Sequence, residues 1–79
     1  MTCSINELRS KEVINVSDGA RLGYVSDVEI DLESGKLLSL IVPGGYRLMG
    51  LLGREEDFVI KWENIRKIGD DVIIIDNNR

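Results

Sequence analysis

The sequence predicts an all-β fold: a small barrel of about six short strands, preceded by one short helical turn. Two observations carry this. Turn-forming clusters recur at short intervals, and the stretches between them are either rich in β-branched residues or alternate between apolar and polar. A third is size. Seventy-nine residues suit one domain, read as 1–79 with a core over about 8–76. A chain this short buries only about 60% of its unfolded surface, so a dimer or a bound partner would add useful stability.

The elements follow in order. Ser4-Ile-Asn-Glu7 fits a capping box, with Ser4 as N-cap and Glu7 reaching back. It predicts a helical turn over 4–9 that turns Ile5 and Leu8 toward the core. Residues 12–16 read as the first strand, closed by Ser17-Asp18-Gly19. Residues 20–32 read as one long strand. Leu22, Tyr24, Val28, Ile30 and Leu32 share the inward parity, and Arg21, Asp27, Glu29 and Asp31 share the outward one. Val25 breaks that alternation, and Gly23 marks a bulge or bend. Glu33-Ser34-Gly35 is a hairpin turn.

Residues 36–42 are apolar on both parities except at Ser39, the pattern of a strand covered on both faces. Pro43-Gly44-Gly45 stops it. Residues 57–60 form the fourth strand, 62–65 a brief turn, 66–68 the fifth strand and 72–75 the sixth. On the parity of Phe58 and Ile60, Trp62 reads as a core aromatic. Closure of the barrel would dispose of exposed sheet edges, which matters for a run as adhesive as Val72–Ile75.

Several function classes are disfavoured. The chain has no histidine and one cysteine, Cys3, which rules out an internal disulfide and an ordinary histidine-assisted nucleophile, and leaves little for a zinc site. Cys3 reads as an exposed, incidental thiol. Neither a signal-peptide pattern nor an apolar run of about 18 residues is present, so a cytoplasmic location is expected. Net charge is −4, and the whole excess lies in residues 17–35, where five acids face Arg21 alone. Such a surface repels phosphate backbones, so nucleic acid is an unfavoured partner.

The residues also resemble a known family. Lys11-Glu-Val-Ile-Asn-Val16 and Asp18-Gly-Ala-Arg-Leu-Gly-Tyr-Val-Ser-Asp-Val-Glu-Ile-Asp31 resemble the opening of a PRC-barrel domain. Pro43-Gly-Gly-Tyr-Arg-Leu-Met-Gly-Leu-Leu-Gly53, Phe58-Val-Ile-Lys-Trp-Glu-Asn-Ile65 and Ile68-Gly-Asp-Asp-Val-Ile-Ile-Ile-Asp76 are similar to its YlmC/YmxH branch. Lys61 departs from that pattern, which often has proline before the tryptophan. The resemblance implies an antiparallel PRC-type β-barrel, a link to sporulation and no catalytic residues. Relatives it implies, the cytoplasmic part of the reaction-centre H subunit and the C-terminal domain of RimM, act by binding large assemblies.

Three candidate sites remain. In the 43–55 loop, Tyr46, Leu48, Met49, Leu51 and Leu52 are large apolar residues set among glycines. Such a loop either folds back over an open barrel end or meets a partner, including a second copy in a homodimer. It lacks the Gly-Lys-Ser/Thr ending of a phosphate loop. Asp27, Glu29 and Asp31, with Glu33, are weak candidates for a divalent metal. Alternation would string them along one face about 6–7 Å apart, and the sixth position of an EF-hand count falls on Leu32 instead of glycine. A solvated face is the simpler account of that row. The expected function is therefore a non-enzymatic, cofactor-free adaptor binding a protein through the loop. A ribosome- or RNA-associated barrel and a metal-binding strand are the alternatives.

Overall fold

The computed structural model of the chain describes residues 2–44 and 57–76. Its elements are helix α1 (Ile5–Leu8), β1 (Glu12–Asn15), β2 (Arg21–Tyr24), β3 (Asp27–Ile30), β4 (Leu37–Val42), β5 (Phe58–Lys61), a 3-10 turn (Trp62–Asn64), β6 (Ile65–Ile68) and β7 (Val72–Ile75). The all-β expectation holds, with seven strands among the described residues where about six were expected. The strands form two sheets, β2-β1-β7-β6 and β3-β4-β5. Among the described residues these sheets are not joined into a closed barrel. Nor is the pairing wholly antiparallel: β1 runs parallel to β7, with Val13 opposite Ile73 and Asn15 opposite Ile75.

The capping box forms as expected. The Ser4 N–H donates to Glu7 Oε1 at 2.7 Å, and the Glu7 N–H donates to Ser4 Oγ at 3.1 Å. Two helical orphan groups are thus satisfied by four residues of sequence. Leu8 enters the core, but Ile5 does not; it stays 46% exposed.

The largest correction concerns residues 20–32. They form two strands in two different sheets, not one. The chain leaves the first sheet after Tyr24, and the Ser26 N–H donates to the Ile41 carbonyl of β4 at 2.8 Å. The parity therefore resets between the strands. Val25, which breaks the alternation, is the buried residue, while Tyr24, Ile30 and Leu32 are exposed. Leu22 and Val28 pack against the core edge as expected. Gly23 has φ 118, a conformation nearly closed to L-residues, and sits where the β1–β2 register slips by one residue. The expected bulge is there.

β4 carries a second slip. Glu29 faces Ser39 but Ile30 faces Leu37, so Leu38 is the extra residue. This explains a strand that is apolar on both parities yet not covered on both sides. Leu40 and Val42 are fully buried, and Leu38 is turned out at 50% exposure.

The core is built from Leu8, Val13, Val25, Leu40, Val42, Ile60, Ile73 and Ile75. Burying one such side chain contributes about 1.5–3 kcal/mol. β7 is hydrogen-bonded on both sides, so the adhesive Val72–Ile75 run is protected as an interior strand and not by the expected barrel closure.

Candidate functional site

The capping box and the 3-10 turn together shape one apolar groove. Thr2, Cys3 and Ile5 form one wall, Leu37, Trp62 and Ile68 the other, and buried Leu8 closes the floor. Its volume is about 410 Å³. Trp62 is 36% exposed here and is not the core aromatic expected from its parity. The reason is local. β5 ends at Lys61 and the chain enters the 3-10 turn, so the strand alternation that buries Ile60 no longer applies at Trp62. Phe58, on the same parity, is 37% exposed. Cys3 is exposed, and its thiol donates to the Ser4 carbonyl at 3.5 Å.

The acidic residues do not assemble into one site. β3 ends at Ile30, which leaves Asp31 and Glu33 in a turn instead of on the strand face. Asp27 Oδ1 accepts from the Val28 N–H at 2.8 Å. Glu29 Oε1 accepts from the Ser39 hydroxyl. Asp31 accepts from the Glu33 N–H at 3.1 Å and from Ser34 Oγ at 3.0 Å, fixing the hairpin. Three carboxylates thus serve three separate local roles. Among the described residues no three such groups converge as metal ligands.

A second depression lies on the outer face of the three-stranded sheet. Glu29, Leu38, Ser39, Val59, Lys61 and Glu63 line it, around a volume of about 300 Å³. Glu29, Ser39 and Lys61 are cross-strand neighbours. The signal for this cleft in the sequence was Ser39, the lone polar residue of an apolar strand, which the bulge brings beside Leu38.

Charges on the four-stranded sheet are engaged differently. Arg21 grips Glu12 with two hydrogen bonds, of 2.7 and 3.1 Å. Arg66 meets Asp76 at 3.0 Å. Lys11 Nζ donates to the carbonyls of Gly69 and Asp70, both at 2.7 Å, and so clamps the β6–β7 turn. Hydrogen bonds from the Arg21 guanidinium hold the Glu12 carboxyl below its ordinary range and push Arg21 up. Hydrogen bonds from the Ser4 backbone and hydroxyl lower Glu7 in the same way. Both carboxylates are held ionised, the opposite of what a general acid needs.

Tyr46, Leu48, Met49, Leu51 and Leu52 lie outside the described residues. No helix among the described residues is long and apolar enough to cross a membrane.

The family resemblance is tested by direct comparison, and the PRC-barrel domain family matches residues 2–79. The chain belongs to the PRC-barrel family. Within that family it is 44% identical over 72 residues to "Probable sporulation protein YlmC" of Bacillus subtilis (strain 168), spanning 91% of this chain and 89% of that protein. It is 34% identical over 74 residues to YmxH of the same organism, spanning 91% and 86%. A Clostridium acetobutylicum protein is 40% identical over 75 residues, spanning 95% and 85%. The YlmC/YmxH branch expected from the glycine-rich and Trp-Glu-Asn-Ile segments is therefore the right one. For this PRC-barrel chain, the described surface offers an apolar groove and an acid-edged cleft.

Proposed function

We propose that this PRC-barrel chain is a non-enzymatic, cytoplasmic adaptor of sporulation that binds a protein partner, or a second copy of itself, through the apolar 43–55 loop. The observation that carries the protein-binding reading is the groove at α1. Ile5, Trp62 and Ile68 keep 36–46% of their surface exposed around it. Large apolar side chains grouped at the surface favour a contact face. The sporulation reading is supported by the name of the YlmC relative. Residues Tyr46, Leu48, Met49, Leu51 and Leu52 are assigned to the contact on their composition.

The test is affinity capture from the native host with wild type, Met49→Asp and Leu52→Asp at two salt concentrations, identifying both proteins and RNA. A defined protein set that both variants lose supports the reading. Unchanged capture removes the loop from the contact. A capture dominated by ribosomal RNA that fades with salt replaces the adaptor with a ribosome-associated barrel.

A further inference from the structure

We infer that the outer face of the β3-β4-β5 sheet docks a cationic, apolar segment of a partner protein, with an arginine or lysine side chain entering the cleft between Glu29 and Glu63. This rests on the protein-interaction reading above but not on the 43–55 loop.

The cleft lies at the β4 bulge. Leu38 is the extra residue in the pairing with β3, and it lines the cleft together with Ser39. Ser39 is 3% exposed and lies at the floor. Its hydroxyl donates to Glu29 Oε1, which fixes that carboxylate at the rim. Leu38 and Val59 are 50% and 54% exposed and form apolar walls. Such a channel suits a side chain with an apolar stem and a charged head. A guanidinium can pair with a carboxylate through two hydrogen bonds.

Charge selects the occupant. The cleft holds Glu29 and Glu63 against Lys61, a net of −1, and Asp27 lies two residues before Glu29 on the same strand. With Asp27 the face carries −2. A nucleic acid or an anionic membrane is repelled by this face, and so is a second copy presenting the same acids. A basic partner is attracted, and Lys61 is the one lining charge that opposes it.

The test is an amide-resolved NMR titration with a short blocked peptide alternating leucine and arginine, beside one alternating leucine and glutamate. Shifts centred on Leu38, Ser39, Val59 and Lys61 are expected with the arginine peptide alone. The double variant Glu29→Gln/Glu63→Gln should weaken binding about three- to tenfold. The charge-matched control Asp70→Asn/Asp71→Asn, on the β6–β7 turn, should leave it unchanged. Lys61→Gln should tighten binding about two- to fivefold, a gain that no misfolding produces. Shifts spread over all acids, equal losses in the two double variants, no gain in Lys61→Gln, or an RNA oligonucleotide binding this face would each overturn the proposal. Leu52→Asp should bind the peptide as wild type does. A host partner lost with Leu52→Asp but kept with Glu29→Gln/Glu63→Gln supports the loop and removes the cleft; the reverse pattern supports the cleft and removes the loop.

Discussion

The two sheets use similar sequences to different ends. On the four-stranded sheet, charged side chains are tied to the chain itself: Arg21 to Glu12, Arg66 to Asp76, Lys11 to two turn carbonyls. In the three-stranded sheet, Glu29 takes only a neighbouring hydroxyl, and Leu38 and Val59 stand half exposed beside it. The first sheet brings together segments about 60 residues apart and needs its side chains to hold them. The second is a local meander whose backbone order follows from chain order, which leaves its outer side chains available for contact. The four-stranded sheet thus ties its charges to itself, whereas the three-stranded sheet leaves Glu29, Leu38 and Val59 at the surface.

The sharpest way to break this division is in the shared core. Ile73→Ala in β7 and Leu40→Ala in β4 remove fully buried side chains. Each should cost about 2–5 kcal/mol in urea unfolding, a large share of a small domain's stability. Equal losses are expected, because both sheets close the same core. A loss confined to one sheet would show that the sheets unfold separately.

Gly23→Ala probes the exit from the first sheet. At φ 118 the new side chain is strained, although its Cβ would meet only Val42 Cγ1, at an ordinary 3.6 Å. A cost of about 1–3 kcal/mol is expected from the backbone alone. A neutral result would mean that the bulge relaxes.

Ser4→Ala removes the hydroxyl half of the capping box. About 1 kcal/mol is expected, seen as faster amide exchange in α1 with β3–β5 unchanged. Protection lost across both sheets would make α1 part of the global unit.

The smallest effect is on pH dependence. Glu7 and Glu12 both titrate below their ordinary 4.5 in the folded chain. A depressed carboxylate contributes stability above its unfolded value, and that contribution is lost as pH falls through the folded one. Melting temperature should therefore decline below about pH 4.5. Glu12→Gln should flatten that decline, and adding salt should mimic the variant in part, since the Glu12–Arg21 pair is solvent-facing. A decline unaltered by Glu12→Gln would assign it to other acids.

Much of this fold was legible in the sequence where the signal is local. The capping box, the turns at 17–19 and 33–35 and the brief turn at Trp62 all follow from short stretches. Residues 20–32 were not legible, because alternation cannot report that a chain changes sheets. Val25 looked like a defect in the pattern and is a core residue at the crossing. The parallel β1–β7 pair depends on a partner about 60 residues away, and the Leu38 bulge is a register slip within a hairpin that apolar composition on both parities does not report. The row of acids was legible as charge but not as geometry, since β3 stops at Ile30.

The parallel pairing of β1 with β7 has a consequence for synthesis. A ribosome releases β1 early and β7 after every other described strand. The three-stranded meander, whose partners are sequential neighbours, can assemble while translation continues. β1 can take β2 as a partner but must wait for β7, so Val13 and Ile14 are unpaired on that side until β7 has emerged. Long-range closure of this kind is slow relative to local pairing. The nascent chain is therefore most prone to aggregation just before β7 emerges.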